Sequence, residues 1–221
     1  MDALYQMFPE EKEEFPWDER ALIEFKTIIN ENGLNCRMDD IFLLGFLRVK
    51  RFNLEKSLEL LKNYYFTRIN YPMYYKNLFP SKLEKRWDPS EVDVLDVFRL
   101  AFLLSDLMLN LHRTQVNGMV AIINSQGANI RRLLQHLPTF ISSLLTNMHK
   151  DVTTLHKFIH PKYLPIAYGG ELPDSDPREF IEIVKQNENF FRQNEEYVRM
   201  YDAEVQQIFS EETFESNDMI S

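Results

Sequence analysis

Between Asp18 and Tyr65, apolar stripes at helical spacing follow one another, each opened by a residue able to cap a helix, and this commits the start of the chain to packed helices. Leu22, Ile23, Phe25, Ile28 and Ile29 form the first stripe, on a helix expected from Asp18 to about Asn30 and closed by the turn signal Asn32-Gly33. Asp39 or Asp40 opens the second, which carries Ile41, Phe42, Leu44, Phe46 and Leu47. Asn53 opens the third, with Leu54, Leu58, Leu61 and Tyr65. A short carboxylate or amide accepts the free N–H groups of a first helical turn, and Glu55 in that turn suits the helix dipole. The chain has only 6 Gly in 221 residues, too few for a turn-rich β fold, so helices should dominate. With 44% apolar residues it can bury a sizeable core.

Further along, Pro72 and Pro80 punctuate a loop-rich stretch. Ser90, with Asp93 three residues on, reads as a capping box for a long helix carrying Leu95, Phe98, Phe102, Leu103 and Leu107. The run Gly118 to Asn124 is short, apolar and partly β-branched, and reads as a buried strand. A helix from about Asn129 should break at Pro138. Pro161, Pro165 and Gly169-Gly170 mark a loop, and Asp176-Pro177 starts a last helix with Phe180, Ile181, Val184, Phe191 and Val198 on its buried side. The closing EETFESNDMIS is expected to lack order.

Cys36 is the only cysteine, so neither an intrachain disulfide nor a cysteine zinc cluster can form, which favours a reducing compartment. The first residues are acidic and carry no apolar signal core, and the run Leu100–Leu104 is far too short to span a bilayer. The expected place is the cytoplasm, with peripheral contact to membranes. The net charge of -9 argues against nucleic acid as a partner. Bases nevertheless lead between Arg48 and Arg86, and Lys50, Arg51, Lys82, Lys85 and Arg86 are candidates for an anionic membrane surface; a solvated helical face is the competing reading. His156 and His160 stand four apart, with His149 as a third, but no Glu follows the first His and Pro161 interrupts the helix, so packing and surface histidines are the simpler account. No GxSxG, P-loop or GxGxxG motif is present, so no enzyme activity, cofactor or metal is expected.

Four segments together resemble one family. Asp40 to Lys62 looks like the N-terminal helical motif of CRAL-TRIO lipid-binding proteins, and Trp87-Asp88-Pro89 like the start of their lipid-binding domain. Gln115 to Ile123 is similar to the central strand of that domain, and Ile159 to Gly170 to the loop that closes it. Their wording is nearest the branch of alpha-tocopherol transfer protein, retinaldehyde-binding protein and the clavesins.

The resemblance implies an α/β, helix-rich fold. A helical bundle over 1–86 would precede a shortened CRAL-TRIO domain with a reduced sheet over 87–173, and a C-terminal helix with an acidic tail would fill 174–221. It implies a monomer that binds and transfers a hydrophobic small ligand of the tocopherol, retinoid or phospholipid class, with phosphoinositide membranes as a further partner. The pocket wall would include Phe98, Phe102, Leu103, Leu107, Ile122, Leu134, Phe140 and Ile141, although periodicity does not separate a cavity wall from a filled core. The chain departs from the family where Arg86 runs directly into Trp87, and where Leu145 to Lys150 joins parts that the family separates by several tens of residues. Ala167 also stands where Glu is common, and Asn124 where an Asp often ends the strand. The two junctions read as lost coding segments and leave an alternative open, a truncated interaction module that transports nothing.

Overall fold

The structure, a computed structural model, describes residues 1–9, 15–83, 94–119, 155–174 and 176–218. Two units make up the chain, one of Met1–Ala121 with Val184–Ser221 and the other of Ile122–Ile183.

In the first unit a short α1, Asp2–Met7, precedes α2, Glu19–Glu31. The Asp18 carboxylate starts α2 by accepting from the N–H groups of Arg20 at 2.9 Å and Ala21 at 3.2 Å. Leu22, Phe25 and Ile29 are buried, whereas Ile23 is 66% exposed. A step of one residue turns it about 100° away from Leu22, off the stripe. Gly33 closes the helix at φ 66°, a left-handed position that costs glycine nothing, and lets Leu34 N–H reach Ile29 O at 3.2 Å.

Asp39, rather than Asp40, caps α3, Asp40–Val49, by accepting from Phe42 N–H at 3.3 Å. Asp40 instead pairs with Lys26 at 2.5 Å. Leu43, outside the expected stripe, is fully buried beside Leu44 and Leu47. Beyond the helix the chain turns through Arg51 and Phe52, at φ 51° and 60°, where no glycine relieves the backbone. Such positions cost about 1–2 kcal/mol each. The turn is held by Phe52 N–H on Leu47 O at 2.7 Å and by the Phe52 ring packed against the core.

Asn53 caps α4, Leu54–Asn70, through Lys56 N–H at 2.9 Å. The stretch expected to be loop then forms two short helices, α5 over Pro72–Tyr75 and α6 over Pro80–Leu83, each starting on a proline that suits the first helical position. Carbonyls around α5 are satisfied from a distance. In α7, Val94–Met108, the Arg99 guanidinium donates to Met73 O and Lys76 O at 2.9 Å, Asn77 O at 3.0 Å and Tyr74 O at 3.3 Å. Ser90 and Asp93, the proposed capping box for this helix, lie outside the described residues.

A short α8, His112–Asn117, packs on α3, where Gly45 leaves room for Gln115. The Gln115 amide donates to Ile41 O at 2.6 Å and Leu109 O at 2.8 Å.

The last helix is two helices. Asp176 accepts from Arg178 N–H at 2.9 Å as α9, Pro177–Gln186, begins. Asn187 separates α9 from α10, Glu188–Asp218. Helical backbone thus extends to Asp218, into the segment expected to lack order, where Glu211, Glu212 and Glu215 are good helix formers.

The main core lies among α2, α3, α4 and α10. Tyr65 of α4 stacks on Tyr201 of α10 at 4.6 Å, and its hydroxyl accepts Arg37 N–H at 3.0 Å. α10 also carries Glu188, which accepts from the Ser81 N–H at 2.9 Å and hydroxyl at 2.6 Å and so holds α6. Among the described residues no sheet occurs, only an isolated bridge between Pro165 and Leu172. Of the expected strand, Gly118 and Met119 are described, with Gly118 ending α8 at φ 79°, and 120–124 lie outside the described residues.

Candidate functional site

Arg68 sits three residues beyond Tyr65 and seven beyond Leu61, on the buried stripe of α4, and Asp106 sits among Leu103 and Leu107 on α7. Helical periodicity therefore drives one charge from each helix inward, where only mutual pairing makes burial tolerable. The two side chains are each 10% exposed, and Arg68 Nη2 donates to Asp106 Oδ1 at 2.5 Å. The guanidinium lies over the rings of Tyr64, at 4.2 Å, and Tyr75, at 4.7 Å. Burial pushes the Tyr64 phenol well above its usual range, so it stays neutral beside the pair. Burial opposes the Arg68 charge, but Asp106, Tyr64 and Tyr75 together outweigh that and hold the guanidinium protonated.

Two open clefts flank this pair, and Arg68, Tyr75, Asp106 and Asn194 line both. The smaller, about 300 Å³, also meets Ile69, Leu78, Phe191 and Val198, and its remaining ionic groups are Lys76, Glu195, Arg199 and Asp202. The larger, about 390 Å³, has Phe42, Phe46, Val49, Leu60, Tyr64 and Leu109 as its apolar wall. Arg37 stands at its edge with its donors engaged: it pairs with Asp39, donates to Asn110 Oδ1 at 2.7 Å and to Asn194 Oδ1 at 3.3 Å. Nothing in the motifs pointed to Arg37, Arg68, Asp106 or Asn194. The available signal was a charge occupying an apolar stripe position.

The expected pocket residues fall elsewhere. Phe98 and Phe102 meet Tyr74 edge-to-face at 6.5 and 5.8 Å, Phe102 also contacts Tyr75 at 5.0 Å, and Leu103 and Leu107 are fully buried. None of these four lines either cleft. Ile122, Leu134, Phe140 and Ile141 lie outside the described residues, as do Lys85 and Arg86. Lys50 and the exposed Arg51 sit at the turn from α3 to α4, and exposed Lys82 lies in α6.

In the second unit, His156 Nε2 lies 3.0 Å from Tyr168 O, and His160 Nδ1 accepts Lys162 N–H at 3.2 Å to cap a 3-10 turn, Pro161–Tyr163. Both rings thus have structural contacts, and His149 lies outside the described residues. Among the described residues no three His, Cys, Asp or Glu side chains gather as for a metal, and no helix is long and apolar enough to cross a membrane.

The loop that resembles the closing motif is tied by its own backbone: Gly170 N–H donates to Pro165 O at 3.0 Å, Glu171 N–H to Pro161 O at 3.0 Å and Leu172 N–H to Leu164 O at 2.9 Å. Asp174 accepts Ala167 N–H at 2.8 Å. A Cβ on Gly170 would fall 1.9 Å from Leu164 O, so this crossing needs glycine. Gly170→Ala is expected to open the loop and to raise amide exchange at least tenfold across 161–172, read by hydrogen-exchange mass spectrometry. Unchanged protection would contradict this crossing.

No protein-family model matches the chain. Curated proteins do. An alpha-tocopherol transfer protein-like protein of Homo sapiens is 26% identical over 191 residues, covering 73% of this chain and 56% of the relative. That of Mus musculus is 26% identical, covering 64% of this chain and 50% of the relative. Clavesin-1 of Xenopus laevis is 25% identical over 211 residues, covering 63% of each. The chain therefore spans little more than half the length of the alpha-tocopherol transfer protein-like relatives it matches. These relatives come from the branch that the four motifs resemble, and over most of its length the chain is similar to alpha-tocopherol transfer protein-like proteins and clavesins.

Proposed function

We propose that the protein binds a hydrophobic small molecule, of the tocopherol, retinoid or phospholipid class, and carries it between membranes without catalysing a reaction. The observation that carries this reading is the kinship with alpha-tocopherol transfer protein-like proteins across 73% of the chain. In this reading Phe98, Phe102, Leu103 and Leu107 of α7 form one wall of the ligand chamber, and Ile122, Leu134, Phe140 and Ile141 supply the rest. Apolar walls give affinity by removing ligand surface from water, at about 25 cal/mol per Å². Lys50, Arg51, Lys82, Lys85 and Arg86 meet an anionic phosphoinositide surface, a contact that salt weakens. The protein acts as a monomer in the cytoplasm and at membrane surfaces.

Incubation with vesicles containing tocopherol, retinol or phosphatidylcholine, followed by re-isolation of the protein, tests the proposal. It expects one of these to co-purify at close to one molecule per chain. Folded protein that retains none would contradict it.

A second reading, a helical interaction module that transports nothing, is favoured by one observation: Phe98, Phe102, Leu103 and Leu107 are satisfied by contacts or burial without lining either cleft. It expects the same failure of uptake together with full stability of the helical unit.

A further inference from the structure

We propose that the corner where α4 meets α5, around Phe66, Tyr71 and Met73, is a docking surface for an anionic lipid membrane. This surface goes beyond the carrier reading. It holds none of the expected chamber residues, and the Lys50 and Arg51 turn lies at the other end of α4, about 25 Å away along the helix.

The starting point is a large apolar side chain on a polar face. Glu59, Asn63, Phe66 and Asn70 recur every three or four residues, so they share one face of α4, and all four are exposed. Phe66 is 61% exposed, and Tyr71 and Met73 follow it at 50% and 59%. Five helical steps separate Phe66 from Tyr71, about 7.5 Å along the axis, and Met73 is two residues further, so the three stand at one corner. One exposed apolar residue is ordinary, but three large ones together mark a contact surface. The backbone that presents them is fixed: Tyr71 N–H donates to Thr67 O and Tyr74 N–H to Tyr71 O, both at 3.0 Å, and Arg99 holds Met73 O.

Charge then decides what covers them. No Asp or Glu occurs from Leu60 to Leu83, in a chain that has 34 of them. Of the bases in that stretch, Arg68 is paired with Asp106. Lys62, one turn before Phe66, donates to the neutral Asn32 Oδ1 at 3.2 Å. Lys76, three residues after Met73, is exposed and makes no ion pair among the described residues. Glu195 and Asp202 line the smaller cleft with Lys76, and Arg199 lines it as well. The corner is thus basic in a protein of net charge -9, and it can approach an anionic surface that repels the acid-rich termini. A second copy of the chain fits poorly, because a two-fold pair sets the patch against itself and brings Lys62 and Lys76 near their own counterparts. On a bilayer, the Tyr71 ring and the long lysine stems suit the headgroup level, while Phe66 and Met73 enter the acyl boundary.

Flotation of the full chain with phosphatidylcholine vesicles, with and without phosphatidylserine, tests the surface. Binding is expected to be at least fivefold tighter with phosphatidylserine and to weaken as salt is raised. Phe66→Ser with Met73→Ser should weaken it at least tenfold and leave the melting temperature unchanged, because both side chains are exposed. Ile23→Ser, which removes a similarly exposed apolar side chain from α2, should leave binding unchanged. Absence of binding to phosphatidylserine vesicles would overturn the inference. So would binding that survives Phe66→Ser with Met73→Ser, which assigns the contact to Lys50 and Arg51, or a concentration-dependent dimer that those changes abolish in place of vesicle binding. A chain that docks through this corner yet takes up no tocopherol, retinol or phosphatidylcholine contradicts the carrier reading alone.

Discussion

Asp106→Leu is expected to destabilise the helical unit by about 3–5 kcal/mol, the usual cost of stranding one partner of a buried ion pair. The side chain it abandons, Arg68, is only 10% exposed and lies over the rings of Tyr64 and Tyr75, so its charge is left poorly solvated. The double replacement Arg68→Met with Asp106→Leu should recover most of that loss, because two apolar side chains then fill the space and no charge remains to be solvated. Urea unfolding followed by tryptophan fluorescence measures both. Equal instability of single and double variants would mean that the pair matters through shape and not through charge.

Tyr65→Ala should cost a similar amount, about 3–5 kcal/mol, by emptying a large volume in the core. Its ring is 1% exposed, stacks on Tyr201 and joins α4 to α10. Limited proteolysis should then cut α10 near Tyr201 while α2 and α3 stay protected. Tyr65→Phe keeps the ring but leaves Arg37 N–H without its acceptor, and should cost only about 1 kcal/mol. If Tyr65→Ala were no worse than Tyr65→Phe, the stacking would contribute nothing and the core would lie elsewhere.

Local features were the most legible in the sequence. Asp18 and Asn53 cap the helices assigned to them, because a cap acts within one turn and is written in adjacent residues. The stripe positions Leu22, Phe25, Ile29, Leu61 and Tyr65 are buried as their spacing requires. Ile23 and Leu43 are alike in hydrophobicity, and only the neighbouring helices decide that Leu43 is covered and Ile23 is not. The break at Asn187 was hidden because its two flanking segments share an apolar face and no proline interrupts them.

Long-range polar pairs were the least legible. Arg68 and Asp106 are 38 positions apart, and Arg99 reaches back more than 20 residues to the carbonyls around α5. Each depends on which helix faces go together, which periodicity does not encode. For the chamber, spacing placed Phe98, Phe102, Leu103 and Leu107 on one side of α7, and the structure shows Tyr74 and Tyr75 as aromatic neighbours of that side. The closing loop was read as a loop from Pro161, Pro165 and Gly169-Gly170, but the reason for Gly170, a carbonyl lying where a Cβ would stand, needs coordinates.

Native mass spectrometry of the protein purified from eukaryotic cells asks most directly whether this chain shelters greasy cargo. A folded species carrying one tightly held hydrophobic molecule, released on collisional activation, is the expected result. Repeated recovery of folded protein with no guest, and no adduct after exposure to tocopherol, retinoid or phospholipid, would contradict carriage and leave kinship with the carriers as a matter of ancestry alone.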